Sequence, residues 1–120
     1  MLLPKTIKVG YHDYKVRMVP SVMKRAKSGE KLIGQCDLMK QEIRVWEGVG
    51  PDNQMSTFWH EVLHAIAHNW DIDLTETDVS RLGCGLTTVL KDCGLLDAWY
   101  AANSGQLPDE SIVQASSTAV

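Results

Sequence analysis

Apolar and polar residues alternate with a period of two from Thr6 to Val9 and from Asp13 to Val19, with Ile7, Val9, Tyr14, Val16 and Met18 on the apolar side. That alternation predicts two half-buried strands, and Gly10 between them supplies the turn of a hairpin. Pro20 and Ser21 predict the opening of a short basic helix, Val22 to Lys27, closed by Ser28-Gly29. Leu32 to Leu38 and Glu42 to Trp46 predict a second strand pair around Met39-Lys40-Gln41. Gly48-Val49-Gly50-Pro51 breaks the sheet, and Asp52 or Asn53 is expected to cap the helix that follows.

From about Gln54 to Asn69 the period lengthens to that of a helix. At ~100° per residue, Met55, Phe58, Trp59, Val62, Leu63, Ala65, Ile66, Ala67 and Trp70 cover more than half the circumference. The remaining arc holds Thr57, His60, Glu61, His64 and His68. A helix this apolar is buried on most sides, so its one polar arc is expected to face a cleft. After the turn Asp71-Ile72-Asp73-Leu74, Thr75-x-x-Asp78 has the form of a capping box with Asp in place of Glu or Gln. It opens a helix to about Asp92 whose apolar seam is Val79, Leu82, Leu86, Val89 and Leu90. Leu95 to Ala102 adds a helical turn or two, with Trp99 and Tyr100 packing on the core. From Asn103 the composition shifts to Ser, Gly, Gln and Pro, which predicts a loose tail over 103–120. The pattern is that of an α+β protein with one domain, 1–102, in which two strand pairs precede the helices.

Composition narrows the functional classes. The 120 residues suffice for one real core. No stretch approaches the ~20 apolar residues of a membrane span, and Met-Leu-Leu-Pro-Lys lacks the layout of a secretory signal. Three cysteines, Cys36, Cys84 and Cys93, are an odd number without a CxxC pair, as expected of reduced thiols in the cytoplasm. Up to Glu47 the chain carries ten Lys and Arg against five Asp and Glu; from Gly48 onward it carries two against ten. No recognition helix or aromatic–basic stripe accompanies the basic half, so solvated faces account for it better than nucleic acid does.

His60-Glu61-Val62-Leu63-His64 is an H-E-x-x-H pattern lying on the polar arc of the buried helix. Residues four apart on a helix lie one above the other, so two imidazole nitrogens can aim at one metal ion. Glu61 can then reach a water on that ion and take its proton. Catalytic zinc takes a third protein ligand. His68 is eight residues from His60, a rise of ~12 Å, too far for one ion on an unbroken helix. Asp73, Glu76 and Asp78 on or before the next helix are the acidic candidates. Asp78 has a role in the capping box and Glu has the longer reach, which favours Glu76. His68, His12 or a tyrosine is left to steady an oxyanion.

The order of strand pair, GQCDLMKQEIRVWEG, TFWHEVLHAIAH and LTETDVSRLGCGLTTVLKD resembles the small zincin-like metallopeptidases of the ImmA/IrrE type, found in minimal form in bacteriophages and mobile elements. The resemblance spans about Ile7 to Asp92. It implies a small twisted antiparallel or mixed sheet packed on the H-E-x-x-H helix and the helix after it, and a zinc-dependent peptidase (a hydrolase) of the bacterial host cytoplasm acting on a protein or peptide substrate. It assigns His60 and His64 as metal ligands, Glu61 as general base and Glu76 as the acidic ligand. It also implies a substrate held as an added strand along the sheet edge, here Glu42 to Trp46. The other reading is a catalytically inactive zincin-like protein that binds a partner in a phage particle or on host machinery, with zinc structural or absent.

Overall fold

The computed structural model describes residues 3–103; of the tail expected over 103–120, Asn103 instead ends a helix and 104–120 lie outside the described residues. Strands β1 (Thr6–Val9) and β2 (His12–Val19) form the first antiparallel hairpin, with Ile7 opposite Tyr14 and Gly10 at φ 62° in the turn. That left-handed backbone is one glycine adopts without steric cost.

The basic helix expected over Val22 to Lys27 is not formed. A small hairpin takes its place, β3 (Met23–Lys24) paired with β4 (Lys31–Leu32). Six residues give barely one closed turn, and helix nucleation needs more than that unless an apolar face is buried. The intervening loop instead satisfies its own backbone: Arg25 N–H donates to the Glu30 carbonyl, Gly29 N–H to the Arg25 carbonyl, and Glu30 N–H to Ser28 Oγ.

Strands β5 (Gly34–Asp37) and β6 (Glu42–Trp46) are antiparallel, and their turn is held by Lys40 N–H donating to Asp37 Oδ1. Strand β6 also pairs in parallel with β2, so the four-stranded sheet is mixed, in the order β1-β2-β6-β5. Glu42–Trp46 is therefore an interior strand, and the edge beside the helices is β5. The residues of β6 explain its position. Ile43 and Val45 are fully buried on the helix side, while Arg44 on the opposite side is tied to Glu42, Gln35 and Asp37.

Helix α1 (Pro51–Asn69) begins three residues earlier than its periodicity predicts. Its N-cap is Gly50, not Asp52 or Asn53, and no side chain caps it. Proline at the first helical position has no N–H to leave unpaired, and the Gln54 side chain donates to the Val49 carbonyl. Phe58, Val62 and Ala65 pack into a core with Val9, Tyr14, Ile43 and Val45.

Helix α2 (Glu76–Asp92) starts at the predicted cap: Thr75 Oγ1 accepts from Asp78 N–H, and the Asp78 carboxylate accepts from Thr75 N–H. Its packing differs from expectation. The buried positions are Val79, Gly83 and Thr87, whereas Leu82 and Val89 of the apolar seam are 51% and 63% exposed. Helix α3 (Leu95–Asn103) buries Leu96, and Trp99 stacks at 6.2 Å on Phe58. The Tyr100 side chain lies outside what is described. Among the described residues no helix is long and apolar enough to cross a membrane.

Candidate metal centre

The buried side of α1 fixes where its polar side points. With Phe58, Val62 and Ala65 held against the sheet, Thr57, His60, Glu61 and His64 emerge together between the sheet edge and α2. The two imidazoles lie 5.0 Å apart between ring centroids, edge to face. One possible ligand atom from each of His60, Glu61 and His64 falls within 4.8 Å of the others.

The first residue of α2 meets them. Glu76 Oε1 lies 2.6 Å from His60 Nε2, and Oε2 lies 3.2 Å from His64 Nε2. Two local features bring it there. The capping box fixes the start of α2, and Gly83 two turns on lies against the backbone of His60, where an added Cβ would stand 3.4 Å from His60 Cα. A larger side chain at the crossing would push the helices apart.

Glu61 occupies a different environment from Glu76. It is only 7% exposed and backs onto β5, where a Cβ at Gly34 would sit 2.9 Å from Glu61 Oε2 and 2.5 Å from Thr57 Cγ2. A glycine inside a strand often marks such a close approach. Burial, reinforced by the charge of Glu76 and opposed by Arg25, pushes the Glu61 carboxyl up to about 7. Burial also holds His64 below the ordinary imidazole value, against the pull of Glu76, and so favours its neutral form. Neutral imidazole is the form that binds metal. Cys36 nearby is pushed up to about 12 by burial and by the charges of Glu61 and Asp37, which leaves it a thiol and a poor ligand.

Two carboxylates thus stand near the histidine pair, and they occupy different positions. Tetrahedral ligands at ~2.0–2.1 Å from zinc stand about 3.3 Å apart. Glu76 touches both Nε2 atoms at 2.6 and 3.2 Å, so a small shift outward opens a two-nitrogen, one-oxygen donor set. Glu61 follows His60 directly and lies deeper, against the sheet. The donor chemistry fits zinc.

Other sequence candidates fall elsewhere. Asp78 is engaged in the capping box; Asp73 and His68 are exposed and do not line the cleft. His12 contacts Gln41 at 2.9 Å, Tyr14 is in the core, and Tyr11 is exposed at the first turn, so none of these serves as an oxyanion donor in the cleft. The cleft itself, about 820 Å³, is walled on one side by α1 and α2 and on the other by the β3–β4 hairpin and β5. Arg25 and Lys31 line it, and neither was marked as a site residue by the sequence pattern. Gly34 inside the strand expected over Leu32 to Leu38 is a signal that could have found this wall, and it went unmarked as well.

No family model matches the chain, and neither curated proteins nor solved structures give a significant match.

Proposed function

We propose that the chain is a minimal zinc-dependent metallopeptidase, similar to the ImmA/IrrE type, with His60, His64 and Glu76 as ligands and Glu61 as general base. The observation that carries the reading is the Glu76 carboxylate spanning both imidazole Nε2 atoms beside a buried Glu61 in an open cleft. Zinc held by these residues supplies Lewis acidity, lowering the pKa of water on it towards ~7 and polarising the scissile carbonyl.

The chain's own groups do the rest. Glu61, raised to about 7 before metal enters, suits proton transfer near neutrality. It takes the proton as the water oxygen bonds to the carbonyl carbon, then delivers it to the nitrogen as the C–N bond breaks. Among the described residues β5 is an edge strand of the sheet, where an extended peptide would pair and lie across the cleft as a further strand. This replaces Glu42–Trp46 as the docking segment.

The test pairs metal analysis with cleavage of a mixed peptide pool. The wild-type protein is expected to hold one zinc and cut the pool. His64→Ala should lose the zinc, and Glu61→Gln should keep it while cleavage falls by about 10²–10⁴-fold. Cleavage undiminished in Glu61→Gln refutes the mechanism. Zinc retained by wild type with no cleavage of any peptide transfers the site to the binding reading.

A further inference from the structure

We infer that the β3–β4 hairpin is a specificity lip, where Arg25 and Lys31 select peptides carrying acidic side chains two or three residues from the bond that is cut. The inference rests on the peptidase reading for what is bound, and on the charge of the cleft for which peptide is preferred.

The charged side chains lining the cleft, apart from the histidines, are Arg25, Lys31, Glu61 and Glu76. Both carboxylates are committed to the metal and its water. The two cations are not. Among the described residues Lys31 makes no ion pair, and the one ion pair of Arg25 is with Glu30, 3.0 Å from its Nε, while its charge also reaches Glu61 through space. Both members of that pair are exposed, 58% and 63%, so solvent screens it and a substrate carboxylate can compete for the guanidinium. The hairpin from Lys24 to Lys31 carries Lys24, Arg25, Lys27 and Lys31 against Glu30 alone. Of these, Arg25 and Lys31 line the cleft.

Chain geometry sets the subsite. Lys31 precedes Gly34 by three residues, at most ~10 Å along an extended backbone, and Gly34 is the residue against which Glu61 rests. A peptide lying along β5 with its scissile bond at Glu61 therefore passes Lys31 two or three residues away. Register across the hairpin puts Lys24 opposite Lys31, with Arg25 next in the chain. Nucleic acid fits the cleft less well, because no Phe, Tyr or Trp lines it to stack a base.

The experiment measures binding separately from cleavage. Zinc-loaded Glu61→Gln protein is titrated into fluorescein-labelled peptides of about ten residues at ~50 mM salt, read by anisotropy. The peptides share an Ala-Leu centre and differ only in carrying Glu, Gln or Lys two and three residues away on both sides. The Glu peptide is expected to bind about tenfold more tightly than the Gln peptide, as one or two partly exposed ion pairs allow. Lys31→Ala should shrink that ratio, and the double variant Arg25→Glu, Lys31→Glu should reverse it in favour of the Lys peptide. Circular dichroism checks the fold of each. Equal binding of the Glu and Gln peptides overturns the inference. So does a preference that survives charge reversal, tighter binding of a single-stranded oligonucleotide than of the Glu peptide, or no binding of any peptide at about 1 mM. Cleavage of the same peptides by wild-type protein is scored apart. A charge preference without cleavage upholds the lip and removes the peptidase; cleavage without a charge preference does the reverse.

Discussion

Helices α1 and α2 are similar in length and both amphipathic, yet they use their apolar residues in opposite ways. Helix α1 buries Phe58, Val62 and Ala65 against the sheet and turns His60 and His64 to the cleft. Helix α2 buries Val79, Gly83 and Thr87 and leaves Leu82 and Val89 in solvent. Positions 79, 83 and 87 are spaced by four, one face of a helix; Val79 is fully buried there, and Gly83 lets α2 lie close on His60. The one hydroxyl buried on that face is satisfied within the helix, Thr87 Oγ1 donating to the Gly83 carbonyl at 2.7 Å. Helix α1 is placed by hydrophobic burial. Helix α2 is placed by close approach, and what the approach brings is Glu76.

The sharpest test of that contrast is in α1. Phe58 is fully buried and contacts the rings of Trp59 and Trp99. Phe58→Ala is expected to cost about 3–5 kcal/mol in chemical denaturation, and a cost near that of a surface change would break the assignment of α1 as the core helix. The next largest effect comes from its polar arc. A carboxyl lifted from 4.5 to about 7 in the folded, metal-free protein binds its proton more tightly there than when unfolded. Its penalty is absent below pH ~4.5, grows as pH rises to ~7 and is constant above, where it reaches on the order of 3 kcal/mol. Glu61→Gln should remove it. Metal-free variant and wild type are expected to match near pH 4.5, with the variant more stable above pH 7. His64, held low, acts in the opposite sense as pH falls below ~6.5, and does so in both proteins. A constant difference across the range would show that the burial of Glu61 carries no such penalty.

Local signals in the sequence survived folding, and signals that depend on distant partners did not. The H-E-x-x-H spacing and the Thr75–Asp78 box are encoded within one turn, and both stand where expected. Glu76 was reachable by the length of its side chain. The β3–β4 hairpin was not legible, because Met23 finds Leu32 across a loop and the basic run between them has no period of its own. The interior place of β6 required a parallel pairing with β2 that no local pattern encodes. The apolar stripe of α2 was visible, but which of its faces meets α1 is decided by Gly83, whose role depends on a neighbouring helix.

Two glycines face the site from opposite sides, and they differ in tolerance. At Gly34 an added methyl would stand 2.5 Å from Thr57 Cγ2 and 2.9 Å from Glu61 Oε2. Gly34→Ala is expected to cost about 1–3 kcal/mol as an overpacked contact, and to displace Glu61. At Gly83 the nearest atom is His60 Cα at 3.4 Å, an ordinary contact. Gly83→Ala should therefore fit and stabilise α2 by up to ~1 kcal/mol through helix propensity, with zinc binding unchanged. Denaturation midpoints with zinc titrations on both variants separate the two walls. Equal losses would mean that α2 approaches α1 as tightly as the sheet does.

The smallest effect belongs to the exposed seam. A leucine at 51% exposure and a valine at 63% have already kept much of their surface in water, so little transfer free energy remains to be lost. Leu82→Gln and Val89→Gln are each expected to change stability by no more than about 0.5 kcal/mol, a small fraction of the effect at Phe58. The same measurement repeated over a range of protein concentrations discriminates further, because a face covered by association loses stability on dilution and a solvated face does not. A cost above about 1.5 kcal/mol at either position, or a midpoint that moves with concentration, would mean that α2 is also held by burial of its seam. The opposition between the two helices would then dissolve.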